Sequence, residues 1–231
     1  MAMWRSKSGR LDGRLNRTVS RGSPVPGPVR GGLASAVPGP EWASSGIEGF
    51  LRHLRRPAGL HILDLGSISQ GTARVLGERG HHIHCLSLLH GFDAVRESSM
   101  GEDGNVTPHA ANRFVRTHLD FPKNSVHAVL AWDVLQHLDE LTMRATIAFL
   151  SKLIRPNGIM FCLFHVDTTH ETIPVLNCSM KSESTLQLSE VERRTPFRRY
   201  SVRNLEALFP QYRALHFCLK RDAILEVLVF S

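Results

Sequence analysis

The chain has 231 residues, of which 42% are apolar, so it can form one large folded domain or two small ones. Its formal charge is +7, but seven of the 28 basic residues and only one of the 21 acidic residues lie in residues 1–40. The rest of the chain is close to neutral, which argues against a folded domain that binds nucleic acid by charge. No run of about 18 apolar residues occurs, so a membrane-spanning helix is not expected.

The cysteines are few and far apart, and no two of them form a C-x-x-C pair. This spacing does not suit a zinc site, and it is typical of reduced, mostly buried thiols in an intracellular protein. We therefore expect a cytoplasmic protein with no metal ion. The four residues are Cys85, Cys162, Cys178 and Cys218.

Residues 1–40 form a segment rich in Arg, Ser, Gly and Pro, with few large apolar side chains. Ordering such a segment would not be compensated by burial of apolar surface, so we predict a disordered tail. It could be a solvated tail or a wrongly assigned start of the chain. It could also make weak electrostatic contacts with nucleic acid or anionic lipid, or act as an organelle transit peptide.

The central pattern of the chain is an apolar strand, a glycine turn and a helix. Residues 60–65 are suited to a buried parallel strand, and Gly66 permits a tight turn after it. Ser69 is suited to cap a helix over residues 70–79. The amides of the turn and of the helix N-terminus would offer hydrogen-bond donors to a ligand, as in nucleotide-binding α/β folds.

The remaining elements follow from apolar periodicity and from turn residues. A polar loop with a short helical piece near residues 92–98 is expected over residues 91–112, and a second polar stretch over residues 165–200. The final two strands are joined by three residues, which predicts an antiparallel pair. Predicted helices cover 41–56, 140–154 and 202–209; further strands cover 81–89, 114–119, 126–132, 159–164, 213–219 and 223–230.

Three stretches and the terminal pair of strands together resemble the class I methyltransferases that use S-adenosylmethionine. The stretches are Leu63-Asp64-Leu65-Gly66, then Leu119-Asp120-Phe121-Pro122 with residues 125–138 after it, and Leu153-Ile154-Arg155-Pro156-Asn157-Gly158. A dinucleotide-binding Rossmann domain shares the first strand and helix but keeps its last strand parallel. The antiparallel pair therefore favours the methyltransferase interpretation over an NAD(P) reductase.

The resemblance implies an α/β fold over residues 41–231: a doubly wound, mostly parallel seven-stranded sheet with a C-terminal antiparallel hairpin. It implies S-adenosylmethionine as cofactor and methyl transfer to an unknown acceptor, and it identifies no catalytic residue. Asp64 and Gly66 would lie under the methionine part of the cofactor. The whole set of implied cofactor-binding residues is Asp64, Gly66, Ser67, Ile68, Ser87, Asp120, Phe121, Trp132 and Asp133.

The sequence departs from the family pattern at two places. Ile68 and Gln70 stand where the family repeats glycine. Ser87 stands where the family has an acid that binds the ribose hydroxyls, and Asp93 is a possible replacement for it. These departures favour a second hypothesis, a binding or scaffolding module that has lost the cofactor. For Asp64 itself, the alternative to a ligand-site role is a capping carboxylate that holds the amides of the turn.

Other polar residues leave alternatives open. His137 could be a general base or a polar residue at a strand–helix junction. His165, Asp167 and His170 form a loose metal-like cluster, although such a loop is more often solvated. An arginine-rich segment could hold an anionic substrate or be a solvated loop; its members are Arg193, Arg194, Arg198 and Arg199.

Overall fold

The computed structural model describes residues 39–55, 58–96, 106–166, 168–219 and 223–231. Of the tail predicted over residues 1–40, residues 1–38 lie outside the described residues. Gly39 is described, and its N–H donates to the Ser189 side chain at 2.9 Å. Within the described ranges, no helix combines the length and the hydropathy needed to cross a membrane.

The described residues form six α-helices and nine strands. The helices are α1 Ser45–His53, α2 Gln70–Gly77, α3 Leu88–Arg96, α4 Pro108–His118, α5 Glu140–Leu153 and α6 Val202–Glu206. The strands are β1 Glu41–Ala43, β2 His61–Asp64, β3 His82–Cys85, β4 Val126–Trp132, β5 Ile154–His165, β6 Ile173–Met180, β7 Thr185–Arg194, β8 Ala214–Leu219 and β9 Ile224–Phe230.

The central sheet has the strand order β3-β2-β4-β5-β9-β8. The pairs β2–β3, β2–β4 and β4–β5 are parallel, whereas β5–β9 and β8–β9 are antiparallel. Both faces of the sheet are covered: α1 and α2 pack on one apolar cluster, and α4 and α5 pack on the other. The predicted α/β fold with a terminal antiparallel pair is confirmed.

The predicted strand over residues 114–119 is wrong, because this segment belongs to α4. Thr107 caps the helix by accepting the Ala110 N–H, and proline occupies the first helical position, where its missing N–H costs nothing. The apolar residues Phe114 and Val115 then lie on the buried face of a helix. The central sheet consequently has six strands within the described residues, rather than the seven that we predicted.

A second sheet, with the order β1-β7-β6, was not predicted. Residues 41–43, predicted to begin a helix, form β1 and pair with β7, and Ser44 then caps α1 by accepting the Ile47 N–H. The hairpin formed by β6 and β7 lies in the stretch that we predicted as polar loop. In the first half of β7 buried side chains alternate with half-buried ones, with Leu186 and Leu188 facing inward, and the residues from 190 to 193 are exposed. We refer to β6 and β7 as the cover hairpin.

Candidate functional site

A small crevice lies above the carboxyl ends of β2, β3 and β4, with a volume of about 170 Å³. Ligands of open α/β sheets bind at this end of the strands. Five of the predicted site residues line the crevice: Gly66, Ser67, Ser87, Trp132 and Asp133. The cover hairpin forms the opposite wall with Val175, Leu176, Asn177, Cys178, Val191 and Glu192.

Asp64 lies beneath the floor of the crevice and is 1% exposed. One carboxylate oxygen, Oδ1, accepts the Gly66 N–H at 2.9 Å and the Trp132 Nε1–H at 2.7 Å. Burial is the largest effect on this group and raises its pKa to about 6, against the lowering effect of the two hydrogen bonds. Asp64 therefore supports the floor of the crevice and holds the turn after β2.

Gly66 is required by its contact with Trp132. A Cβ atom at position 66 would lie 2.6 Å from Cδ1 of the indole, which is closer than carbon atoms can approach. Trp132 itself is 1% exposed and has a φ of +49°, a conformation that costs energy for a bulky residue. The packing of the floor is thus sufficient to explain the glycine at this turn.

Asp133 connects the core to the cover hairpin. Its Oδ2 accepts the Leu176 N–H at 2.7 Å and lies 3.1 Å from Nε2 of His137. The His137 side chain is fully buried, and its Nδ1 has no partner among the residues that the structure describes. His137 therefore holds Asp133 in place. To reach a ligand in the crevice, the His137 side chain would have to move.

Ser87 and Asp93, the residues considered above for the ribose hydroxyls, both line the crevice. Ser87 has a φ of +45°, and its N–H donates to the Gly66 carbonyl at 3.2 Å. Both carboxylate oxygens of Asp93 accept from Arg194 of the cover hairpin, at 2.8 and 2.7 Å. The acid that could replace the ribose ligand is thus already paired.

Three predicted site residues lie outside the crevice. Ile68 is 78% exposed and lines a separate surface groove. Asp120 is exposed, and the Phe121 ring packs against His84 with ring centroids 5.5 Å apart. Their contact with a cofactor stays a prediction.

The N-terminus of α2 is covered by the end of β6. Ser69 caps the helix by accepting the Thr72 N–H at 3.3 Å, as predicted, and its hydroxyl also donates to Ser179 at 2.6 Å. The Thr72 hydroxyl accepts the Met180 N–H at 3.2 Å. A protein strand therefore contacts the helix end that the sequence predicted to face a ligand.

The loose cluster of His165, Asp167 and His170 is not described as a whole, because Asp167 lies outside the described residues. His165 is 8% exposed and His170 is exposed. Across the described ranges, no group of three or more His, Cys, Asp or Glu side chains is arranged to hold a metal ion.

The arginine-rich segment is engaged in contacts within the protein. Arg193 binds Glu190 and Thr172, Arg198 binds Glu140, and Arg199 donates to a backbone carbonyl. Each of these guanidinium groups is therefore partly neutralised or occupied, which does not favour an anion site here.

The wall formed by the cover hairpin was missed by the sequence analysis. The signal that could have found it is the alternation of polar and apolar residues over residues 185–189, which is typical of a half-buried strand. The position of this hairpin over the crevice depends on contacts between segments far apart in the chain. The bond from Leu176 to Asp133, for example, joins residues 43 positions apart.

A parallel sheet that ends in an antiparallel pair, with a crevice at the strand ends where the first glycine turn lies, defines the Rossmann-like methyltransferase fold. The protein has this fold. Comparison of the sequence with protein-family models and with curated proteins finds no match.

Solved structures with a similar arrangement include S-adenosylmethionine-dependent methyltransferases. One is the 1,6-didemethyltoxoflavin-N1-methyltransferase of Burkholderia thailandensis, crystallised with 1,6-didemethyltoxoflavin and S-adenosylhomocysteine (15% identity, 80% of this chain and 76% of that chain, TM-score 0.46). Another is a methyltransferase from Mesorhizobium loti (14% identity, 78% and 95%, TM-score 0.46). A third is from Methanosarcina mazei (10% identity, 78% and 96%, TM-score 0.44).

Proposed function

We propose that the protein transfers a methyl group from S-adenosylmethionine to an acceptor and that the cofactor binds in the crevice. The observation that carries the proposal is that Gly66, Ser67, Ser87, Trp132 and Asp133 come from separate parts of the chain and meet around one crevice. This is the position at which α/β sheets bind nucleotide-like ligands.

The residues of the crevice suit the chemistry of this cofactor. The bound cofactor would supply an already activated methyl group on a cationic sulfur, so the protein has mainly to bind and orient it. The Asp133 carboxylate offers negative charge to a cationic group, and the Trp132 ring offers an apolar face. The hydroxyls of Ser67 and Ser87 offer polar contacts, and the cover hairpin excludes water.

The size of the crevice requires the cover hairpin to move. Sites for small molecules are commonly about 300–1,000 Å³, whereas the crevice measures about 170 Å³. Three contacts would have to loosen for a whole cofactor to enter. These are Leu176 to Asp133, Ser179 to Ser69 and Arg194 to Asp93.

The same contacts favour a second candidate function, a binding module that has lost the cofactor. Asp64, Asp93 and Asp133 all have partners within the protein, and the N-terminus of α2 is covered by β6. Under this hypothesis the cover hairpin replaces the ligand. The two functions differ in whether any cofactor binds.

Calorimetric titration of the full chain with S-adenosylhomocysteine separates them. Methyl transfer predicts saturable binding near one molecule per chain, and the exposed substitution Ser67→Trp should block it by filling the mouth of the crevice. Lys123→Trp, on an exposed turn away from the crevice, is the matched control and should bind normally. Absence of binding to the wild-type protein at millimolar ligand would reject the cofactor and leave the binding module.

A further inference from the structure

Four histidine side chains meet on one face of the central sheet, near the amino ends of three parallel strands. His61 begins β2, and His82 begins β3 directly beside it. His84 lies two residues further along β3 and therefore on the same face. His127, near the start of β4, lies on the other side of His61 and accepts its backbone N–H at 3.0 Å. We refer to these four residues as the histidine patch.

The rings of the histidine patch are grouped around His61. The ring centroids lie 5.0 Å from it in His82, 5.3 Å in His84 and 6.1 Å in His127. Neighbouring strands of a sheet are about 4.8 Å apart, so side chains at one level of adjacent strands come together in this way. The patch is at the surface, because His61 and His82 are exposed and the other two are half-buried.

One pair of the patch brings two ring nitrogens together. Nδ1 of His61 lies 3.0 Å from Nε2 of His84, in a contact that is open to solvent. One ring donates a hydrogen bond to the other. With metal–nitrogen bonds of about 2.05 Å, two nitrogens at this separation would subtend an angle of about 95° at one ion. This is close to the angle between neighbouring ligands in square-planar or octahedral coordination.

The two rings can reach this coordination by turning in place. Their planes are within 16° of parallel and their nitrogen edges face each other, so each lone pair now points across the contact. A turn about the Cβ–Cγ bond aims both lone pairs at one point outside the sheet, and this torsion has a broad energy minimum in histidine. Phe121 packs edge-on against His84, with ring centroids 5.5 Å apart, and supports that ring.

The donor atoms determine the class of ion. Both are imidazole nitrogens, which suit Cu²⁺, Ni²⁺ and Zn²⁺, whereas Mg²⁺ and Ca²⁺ prefer oxygen ligands. His127 is engaged at both nitrogens, by the His61 N–H and by Arg155 at 2.8 Å. Within the described ranges no group of three His, Cys, Asp or Glu side chains is arranged around an ion, so water would complete the coordination.

We propose that His61 and His84 bind a divalent transition-metal ion of the class of Cu²⁺, Ni²⁺ and Zn²⁺. The ion would tie β3, the edge strand of the central sheet, to β2. Neither residue lines the crevice, so the site does not depend on the proposed function. The expectation of no metal ion came from the spacing of the cysteines, whereas this pair joins residues 23 positions apart.

Calorimetric titration of the full chain, without an affinity tag, with NiCl₂ tests the proposal. We expect one Ni²⁺ per chain with a dissociation constant below about 0.1 mM, and no binding of Mg²⁺ at the same concentrations. His61→Phe and His84→Phe each keep a ring and remove its nitrogens. Each should weaken Ni²⁺ binding at least about tenfold, since loss of a group that only supports a metal ligand already costs about 10–100-fold.

Two matched substitutions are the controls. His109→Phe removes an exposed histidine on α4, and His82→Phe removes one within the histidine patch whose nitrogens are not part of the pair. Both variants should keep most of the Ni²⁺ affinity. Loss of affinity in His82→Phe as large as in His61→Phe would overturn the assignment of the two ligands.

Thermal denaturation provides a second measurement. Because the ion binds the folded protein, Ni²⁺ should raise the melting temperature of the wild-type protein and leave that of the His61 and His84 variants unchanged. The proposal is overturned if the wild-type protein shows no saturable Ni²⁺ binding below about 0.1 mM, or if folded His61 and His84 variants bind Ni²⁺ as the wild-type protein does.

Discussion

The indole of Trp132 donates from Nε1 to Oδ1 of Asp64 at 2.7 Å, and this bond joins the end of β4 to the end of β2. The same oxygen accepts the Gly66 N–H, so one buried carboxylate fixes both sides of the crevice floor. Unpaired buried polar groups are costly, which makes this bond important for stability.

Substitution of Trp132 by phenylalanine should destabilise the protein by about 2 kcal/mol or more, because it removes the indole donor from a buried carboxylate and leaves space in the core. Urea denaturation measures the change in the free energy of unfolding. The matched substitution Trp42→Phe, at a half-buried position in the small sheet, should cost clearly less. Equal losses for the two variants would show that the Asp64 bond contributes little.

Asp64→Asn should change how stability depends on pH. In the wild-type protein the pKa of Asp64 is about 6, above its ordinary value of 3.8. The native state therefore holds this proton more tightly than the unfolded state, so this carboxyl stabilises the fold as the pH falls through 6 toward 4. Above pH 6, the contribution of this carboxyl to the free energy of unfolding is lower than at pH values below 4 by up to about 3 kcal/mol.

The asparagine variant lacks this titration. Its free energy of unfolding, relative to that of the wild-type protein, should therefore be higher at pH 8 than at pH 5. Urea denaturation at the two pH values measures the difference. A constant difference between variant and wild type would mean that the carboxyl is not perturbed.

Gly66→Ala should be strongly destabilising in the wild-type background, since the new methyl group would lie against Cδ1 of Trp132. The cost should exceed about 2 kcal/mol, as is typical of steric overlap in a packed core. In the background Trp132→Ala the same change should cost much less, because the overlapping ring is gone. A double-mutant cycle by thermal denaturation measures this coupling. If the stability losses of the two substitutions are additive, the glycine is required for another reason, either contact with a ligand or the conformation of the backbone.

Arg194→Met should favour opening of the cover hairpin. Its guanidinium binds Asp93 and Glu192, and the side chains of Arg194 and Asp93 are 28% and 37% exposed, so their pair contributes at most about 1 kcal/mol to stability. We expect a small change in stability and an increase in affinity for S-adenosylhomocysteine of up to about fivefold. Arg144→Met, which removes a surface pair with Glu140, is the control and should leave the affinity unchanged. Weaker binding by the Arg194 variant would show that the closed hairpin supports the ligand.

The strand, turn and helix around Gly66 were predictable because their signals are local: an apolar run, a glycine and a capping serine. The helix α4 was also encoded locally, by Thr107 followed by proline, but the apolar residues at 114 and 115 were interpreted as a strand. Short apolar runs fit both structures, and only the buried face of the folded chain decides between them.

The crevice was predicted in its position but not in its shape. Gly66, Ser87 and Asp133 meet there because parallel strands end at one edge of the sheet. The bond between Asp64 and Trp132 joins residues 68 positions apart, and no sequence pattern indicates it. The cover hairpin changes the site most, since its backbone N–H groups donate to the Asp133 carboxylate and to the Thr72 hydroxyl, beside the crevice and at the start of α2.

The most direct test of the account is an NMR titration of the ¹⁵N-labelled full chain with S-adenosylhomocysteine, because it reports both binding and location. We predict saturable shifts of the amide signals of Gly66, Ser67 and Ser87, together with that of Leu176 as the cover hairpin moves away from Asp133. Unchanged signals at these positions at millimolar ligand, or shifts confined to another surface, would contradict the proposal that this crevice is the cofactor site.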